Sequence, residues 1–429
     1  MHAVEITADT LPVSLAEFRL RALTWASQYT LVAYYNSNQI AYPHHGFEHL
    51  LAVSNNRPLE LDRENSFEAL RRHLQQHPSL LCGYLGYDLK NQLEKFSSSN
   101  PDALGFPPVF FFQPEVYLYF NPASITLYTT DDNTPDIIDV ILACSPAAPA
   151  APQGIQVRQR VAPNKYKAHV EQIKNLILEG DVYELNYCME FYAEQVSLAP
   201  LPLYLALNEA SPTPFSGFLK QHDKYLLCAS PERFLKKEGA RLISQPIKGT
   251  IRRGATEAED TALQQQLRHD EKELAENMMI VDLVRNDLSR SCVIGTVQVT
   301  EMFGIYPFRQ VSQMISTIEG TLRPDKDLVD ALTGAFPMGS MTGAPKISAM
   351  QHIEALEDTR RGLYSGAFGY ITPAQDCDFN VVIRSLQYNA TTGYLSFMVG
   401  SAITSDSDPE REYAECLLKA QAMLQVLGC

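Results

Sequence analysis

The sequence has no excess of basic residues. Its 429 residues carry 35 Lys and Arg against 50 Asp and Glu, a net charge of −15. A nucleic-acid binder needs basic stripes to neutralise phosphates, and anionic membrane surfaces attract the same clusters, so neither partner is expected. An anionic small substrate is not excluded, because a local site can oppose the net field. No apolar run approaches the ~20 residues of a membrane span. The opening segment MHAVEITADTLPVSLAEF, with Glu5 and Asp9, lacks the apolar core of a signal peptide. None of the eight cysteines stands at C-x-x-C spacing, which leaves reduced, mostly buried thiols in a cytoplasmic protein. Zinc-ligand spacing, a Rossmann fingerprint and a convincing G-x-S-x-G elbow are also missing. Gly (22) and Pro (26) are at ordinary levels, so no collagen-like or low-complexity chain is hidden here.

What is present reads as two regions. Residues 1–150 hold short β-rich segments (TLVAYY, PVFFF, VYLYF) and one helical pattern, SFEALRRHLQQH at 66–77. The apolar run Ile137–Leu142 reads as a strand, and the Pro- and Ala-rich stretch SPAAPAAPQG at 145–154 follows it as a linker or long loop. Residues 160–429 form the second region. Val170, Ile173, Leu176 and Ile177 recur at helical spacing before Gly180, a C-terminal cap. A strong helix pattern covers 270–290, and Asp408-Pro409 opens a final helix. Strand-like segments lie between. The fold class expected is α+β: a two-lobed body of antiparallel β-sheets packed together with flanking helices.

Two helices each carry carboxylates three residues apart, Glu273 with Glu276 and Glu412 with Glu415. Such neighbours on a helix face form local clusters of negative charge. If the two pairs meet, they repel unless a cation lies between them, and Mg²⁺ takes oxygen ligands of this kind. Equally, Glu near a helix start is favoured by the macrodipole and is common on solvated faces. In QPIKGT (245–250), Lys248 stands between an apolar strand and a Gly249-Thr250 turn. Partial burial there would lower its pKa and leave a nucleophilic amine, whereas full solvation would leave an ordinary snorkelling lysine. Turn amides at Gly249 and Thr250 suit an anion. Glu232 in SPERFL is a general acid if buried and a turn residue if not. Arg384, in the strand-like run VVIRSLQY, suits a planar carboxylate. SMTGAPKIS (340–348) fails the phosphate-loop spacing and reads as a structural loop leading into a helix.

Eight ordered motifs together resemble the chorismate-utilising enzymes: GDVYELN (180–186), SPERFL (230–235), QPIKGT (245–250), AENMMIVDLVRNDLSR (275–290), MTGAPK (341–346), RRGLYSGAFGY (360–370), VVIRS (381–385) and DPEREYAECLLKA (408–420). The match covers about 160–425, and GYLGYDLKNQLE (83–94) extends it into a first region of anthranilate synthase component I type. The branch resembled is the one that forms 4-amino-4-deoxychorismate, because Lys248 occupies a slot held by Ala in anthranilate-forming relatives. The resemblance implies Mg²⁺ held by Glu276 and Glu415, with Glu273 and Glu412 beside it. It implies Gly249 and Thr250 amides on the ring carboxylate of chorismate. Tyr364 and Arg384 would take the enolpyruvyl carboxylate, with Ser340, Gly400, Ala402 and Lys419 around the substrate. It implies Lys248 as nucleophile and Glu232 as general acid. With no G-x-C-x-G glutaminase motif in the chain, ammonia would come from a glutamine amidotransferase partner subunit. Glu184 stands where many relatives have Gln, or Lys in the water-adding members. Gln313 replaces a common His, Ser340 a common Thr, and Gly400-Ser401-Ala402 a G-A-G. Anthranilate synthesis, and a non-catalytic module on the same fold, are the alternatives.

Overall fold

Runs of β-branched and aromatic residues become strands, and they assemble into two antiparallel sheets. The computed structural model describes residues 2–62, 64–130, 134–152, 154–309 and 311–429. The first sheet has twelve strands. Its order runs His2–Thr7, Ser124–Thr129, Val116–Phe120, Leu50–Ser54, Leu31–Asn36, Phe215–Gln221, Lys224–Ser230, Ser385–Asn389, Tyr394–Ile403, Glu184–Ala193 and Gly343–Ala344, with Arg158–Gln159 beside Glu184–Ala193. The second has nine, in the order Ile247–Arg252, Val311–Thr321, Arg241–Gln245, Arg233–Glu238, Cys377–Val381, Ala367–Ile371, Leu81–Leu85 and Val109–Phe112, with Gln298–Pro307 beside Val311–Thr321. Both sheets draw strands from each side of the 145–154 stretch. Leu31–Asn36 pairs with Phe215–Gln221, and Leu81–Leu85 with Ala367–Ile371.

The sheets face one another through a layer of aromatic rings. Tyr35 of the first stacks on Phe368 of the second at 4.7 Å. Helices cover the outer faces. On the first sheet, Leu15–Ala26, Pro163–Glu179, Pro200–Ala210 and Pro409–Leu427 bury Phe18, Tyr166, Leu203 and Met423. On the second, Ser66–Gln76, Glu271–Ser289 and Leu328–Ala335 bury Leu70, Ile280 and Leu328. Gly180 adopts the left-handed cap (φ 86°), and the Asp270 and Asp408 side chains cap the helices that follow them. All eight cysteines are free, and six are buried. No helix among the described residues is long and apolar enough to cross a membrane.

Three expectations about local structure are corrected. Ile137–Leu142 lies in a helix, Thr134–Ala143, not a strand. Ile137, Ile138, Ile141 and Leu142 recur at helical spacing and pack together on the first core. Gly249-Thr250 is not a turn but an irregularity inside the strand Ile247–Arg252, with Gly249 at φ 92°. Arg384 is not within a strand. The chain leaves the second sheet at Val381 and enters the first at Ser385, and Arg384 makes the bend at φ 52°.

Beside this bend the fully buried Arg233 guanidinium meets Asp378 through two 2.9 Å bonds and donates to the carbonyls of Pro43 and His45. Breaking a buried pair leaves an uncompensated charge. Asp378→Ala should therefore lower the unfolding free energy by about 3–5 kcal/mol, read from the urea midpoint. A shift near zero would mean that Gln245 and the two carbonyls suffice to hold Arg233.

Candidate active site

Two of the passages of the chain between the sheets lie side by side. One crossing joins Lys224–Ser230 to Arg233–Glu238 and carries Glu232. The other carries Arg384. They are stitched together by Val381 N–H donating to Glu232 O (3.0 Å) and Ala229 N–H to Arg384 O (3.3 Å). Glu232 is 4% exposed, and its Oε1 accepts from Ser340 Oγ at 2.6 Å. Burial pushes its pKa up to about 7, against the opposing pull of Ser340 and Lys248. A small cavity lined by Val284, Asp287, Met338 and Val381 adjoins both groups. Burial lowers the pKa of Arg384. Its guanidinium has no ion pair among the described residues; it is sensed only by Tyr364 and Glu415. Tyr364 is buried, its hydroxyl 3.8 Å from Cys188 Sγ.

Lys248 extends from the irregular strand, and its Nζ donates to Glu184 Oε1 at 2.8 Å. Glu184 is 1% exposed, and its Oε2 is buried with no hydrogen-bond partner among the described residues. The uncharged amine expected of Lys248 is not found. Burial pulls its pKa down, but Glu184, Glu276 and Glu415 outweigh burial and raise it. Thr250 pairs across the sheet with Gln313, whose Oε1 is buried and unpartnered.

The two glutamate pairs do meet. Asn277, on the Glu271–Ser289 helix, donates to Lys248 O (3.3 Å) and accepts from Ser316 Oγ (2.7 Å), which fixes the helix on the strand. A Cβ at Gly249 would stand 3.2 Å from Glu273 Oε2, so glycine permits this approach. From the Pro409–Leu427 helix, Glu412 reaches Lys272 Nζ at 3.1 Å, and the same amine lies 3.6 Å from Glu276. Glu415 pairs with Lys419 at 2.6 Å, and Lys419 also donates to Gly400 O at 2.8 Å. Burial raises Glu276 to about 7. Burial and Glu415 together raise Glu273, while Lys419 overcomes burial and holds Glu415 low. Gly400 and Ala402 lie opposite Cys188 and Asn186, and a Cβ at Gly400 would stand 2.4 Å from Cys188 Sγ.

Among the described residues no three acidic, histidine or cysteine side chains converge tightly enough to hold a metal. The four glutamates therefore do not form a closed cage, because Lys272 and Lys419 draw Glu412 and Glu415 to themselves. The donors nonetheless suit a hard cation. Glu276 Oε1 is buried without a hydrogen bond, and Mg²⁺ takes one or two carboxylates and completes its shell with substrate and water. A wider cavity of about 710 Å³ lies elsewhere, between the 149–152 segment and the end of the last helix, and none of these groups lines it.

The family of chorismate binding enzymes matches residues 22–425. The chain belongs to this family. It is 35% identical over 379 residues to anthranilate synthase component 1 of Thermus thermophilus, covering 84% of this chain and 81% of that one. It is 34% identical over 360 residues to aminodeoxychorismate synthase component 1 of Bacillus subtilis, covering 80% and 76%. The crystal structure of anthranilate synthase component I from Streptococcus pneumoniae superposes with a TM-score of 0.74 at 26% identity, covering 99% of this chain and 92% of that one. The match begins well before residue 160, as two sheets with shared strands require.

Several groups at this site were not singled out in the sequence. Lys272 stands one helical turn before Glu276, a spacing visible in the sequence, but its bond to Glu412 depends on the fold. Lys346 of the MTGAPK motif is an anchor, bonded to Asp287 Oδ2 at 2.7 Å. An unpaired, half-buried guanidinium is a ready receptor for one substrate carboxylate. Arg384→Leu should weaken chorismate binding by roughly tenfold to a hundredfold, the worth of a charged hydrogen bond, as measured by calorimetric titration. An unchanged Kd would remove Arg384 from the site.

Proposed function

We propose that the chain aminates chorismate at ring C4 in the para-aminobenzoate branch of folate biosynthesis, a transferase-type reaction giving 4-amino-4-deoxychorismate. The observation that carries this reading is Lys248, an amine inside the glutamate cluster and close enough to Glu232 to shift its proton affinity. Lys248 adds at ring C2, the ring double bonds shift, and the C4 hydroxyl departs as water with the proton of Glu232. Ammonia then attacks C4, and Lys248 leaves. Dividing one hard displacement into two easier ones is what covalent catalysis contributes.

The substrate is a dianion, and its two carboxylates need separate receptors. Gly249 and Thr250 amides meet the ring carboxylate. Arg384 and Tyr364 meet the enolpyruvyl carboxylate, with Ser340, Gly400, Ala402 and Lys419 lining the remainder. Glu276 and Glu415 would hold Mg²⁺, with Glu273 and Glu412 beside them. The bound ion supplies positive charge that orients the ring carboxylate. Ammonia comes from a glutamine amidotransferase subunit, and the reaction runs in the cytoplasm, where free thiols stay reduced.

Anthranilate synthesis is the second reading, favoured by the identity to the Thermus enzyme. Incubation with chorismate, Mg²⁺ and ammonium, followed by mass analysis, separates the two. The expected product is aminodeoxychorismate, and Lys248→Ala should abolish it while chorismate still binds. Fluorescent anthranilate, formed equally well by Lys248→Ala, would overturn the proposal. No turnover at all would mean a binding module. A second expectation concerns Glu232, which acts in its protonated form. Because burial brings its pKa to about 7, that form is lost as pH rises. The rate of the chemical step should fall above about pH 7, and Glu232→Gln should lose both the rate and this limb. A limb that survives in the variant would belong to another group.

A further inference from the structure

An amine that must attack carbon first has to lose a proton, and the groups around Lys248 decide where that proton goes. Five carboxyl groups face it among the described residues: Glu184 from the Glu184–Ala193 strand, Glu273, Glu276 and Glu415 from the two helices, and Glu232 from the crossing. Only Glu184 is within hydrogen-bond distance of Nζ, at 2.8 Å. Glu276 and Glu415 have lysines 272 and 419 as ion-pair partners, and Glu232 is bonded to Ser340. Glu184 is also held rigidly. Its strand pairs with Gly343-Ala344 of the MTGAPK motif, and a Cβ at Gly343 would stand 2.1 Å from Glu184 O. Its second oxygen has no hydrogen-bond partner among the described residues.

We propose that Glu184 is a catalytic residue, the base that takes the proton of Lys248 and returns it. This rests on the amination reading above. The Lys248 ammonium gives one proton to the Glu184 carboxylate, and the freed lone pair forms the bond to C2. The C4–O bond breaks, and the hydroxide leaves as water with the proton of Glu232. Ammonia then bonds to C4, the C2–N bond returns its electron pair to Lys248, and Glu184 restores the ammonium. The new C4 ammonium returns a proton to Glu232. The sum is chorismate plus ammonia giving aminodeoxychorismate plus water.

Glu184→Gln keeps the size and a hydrogen-bond acceptor for Nζ but cannot take a proton. Using the full chain at a fixed concentration of free ammonia, the variant should be slower than the parent by roughly a hundredfold or more at about pH 7. That ratio should shrink toward about pH 10, because the variant lacks the Glu184 charge that does most to hold the proton on Lys248, and solvent hydroxide can then take it. Taking the ratio cancels the loss of protonated Glu232, which both proteins share. Chorismate-induced thermal stabilisation should be equal in the two, which shows that the variant is folded. Equal rates at all pH values would overturn the proposal. So would a rate loss that alkaline pH does not reduce, or a loss of chorismate binding, either of which marks a structural role. If the parent makes anthranilate and Lys248→Ala is fully active, it is the amination reading itself that has failed, and this result is seen without any Glu184 variant.

Discussion

Like charges withdrawn from water repel one another and also lose hydration, and the arrangement of this site follows from that constraint. Glu273, Glu276, Glu412 and Glu415 converge from two helices, with Glu276 and Glu412 buried. Lys272, Lys419 and Lys248 lie among them and offset part of the repulsion. Glu273 and Glu276 nonetheless keep raised proton affinities, chiefly because burial outweighs the nearby lysines. A divalent cation would complete the charge balance. The amine at 248 belongs to the same balance, and the carboxylates that stabilise its charge also oppose its deprotonation. An acidic protein can thus receive an anion, since the field at the site is set by groups a few ångströms away rather than by the total of −15.

The positions of Glu232 and Arg384 have a topological cause. Residues within a strand must alternate between faces, which leaves little freedom in aiming a side chain. Both residues stand outside the ladders, where the chain passes from one sheet to the other, and bonds between the two crossings fix their relation. Arg233, next in sequence to Glu232, is buried and held by Asp378, so the acid stands beside a rigid anchor.

Periodicity revealed the helices at 66–77, 166–181 and 270–290 because each buries one face, and the caps at Gly180, Asp270 and Asp408 are local chemistry. It misled at 137–142, where five apolar residues in six suit either period over so short a run. The motifs named the residues of the site but not its charge state. An uncharged Lys248 was expected from burial alone. The opposing carboxylates arrive from positions 184, 276 and 415, which nothing local to QPIKGT discloses. Likewise the strand-like run around Arg384 hides a change of sheet, because apolar residues on either side are buried in both.

Strand sharing between the two regions also bears on how the polypeptide emerges during synthesis. Leu31–Asn36, buried along its whole length, gains one neighbour early from Leu50–Ser54, but its other edge stays open until Phe215–Gln221 has left the ribosome. For that interval an apolar, hydrogen-bond-hungry ribbon is exposed to other chains.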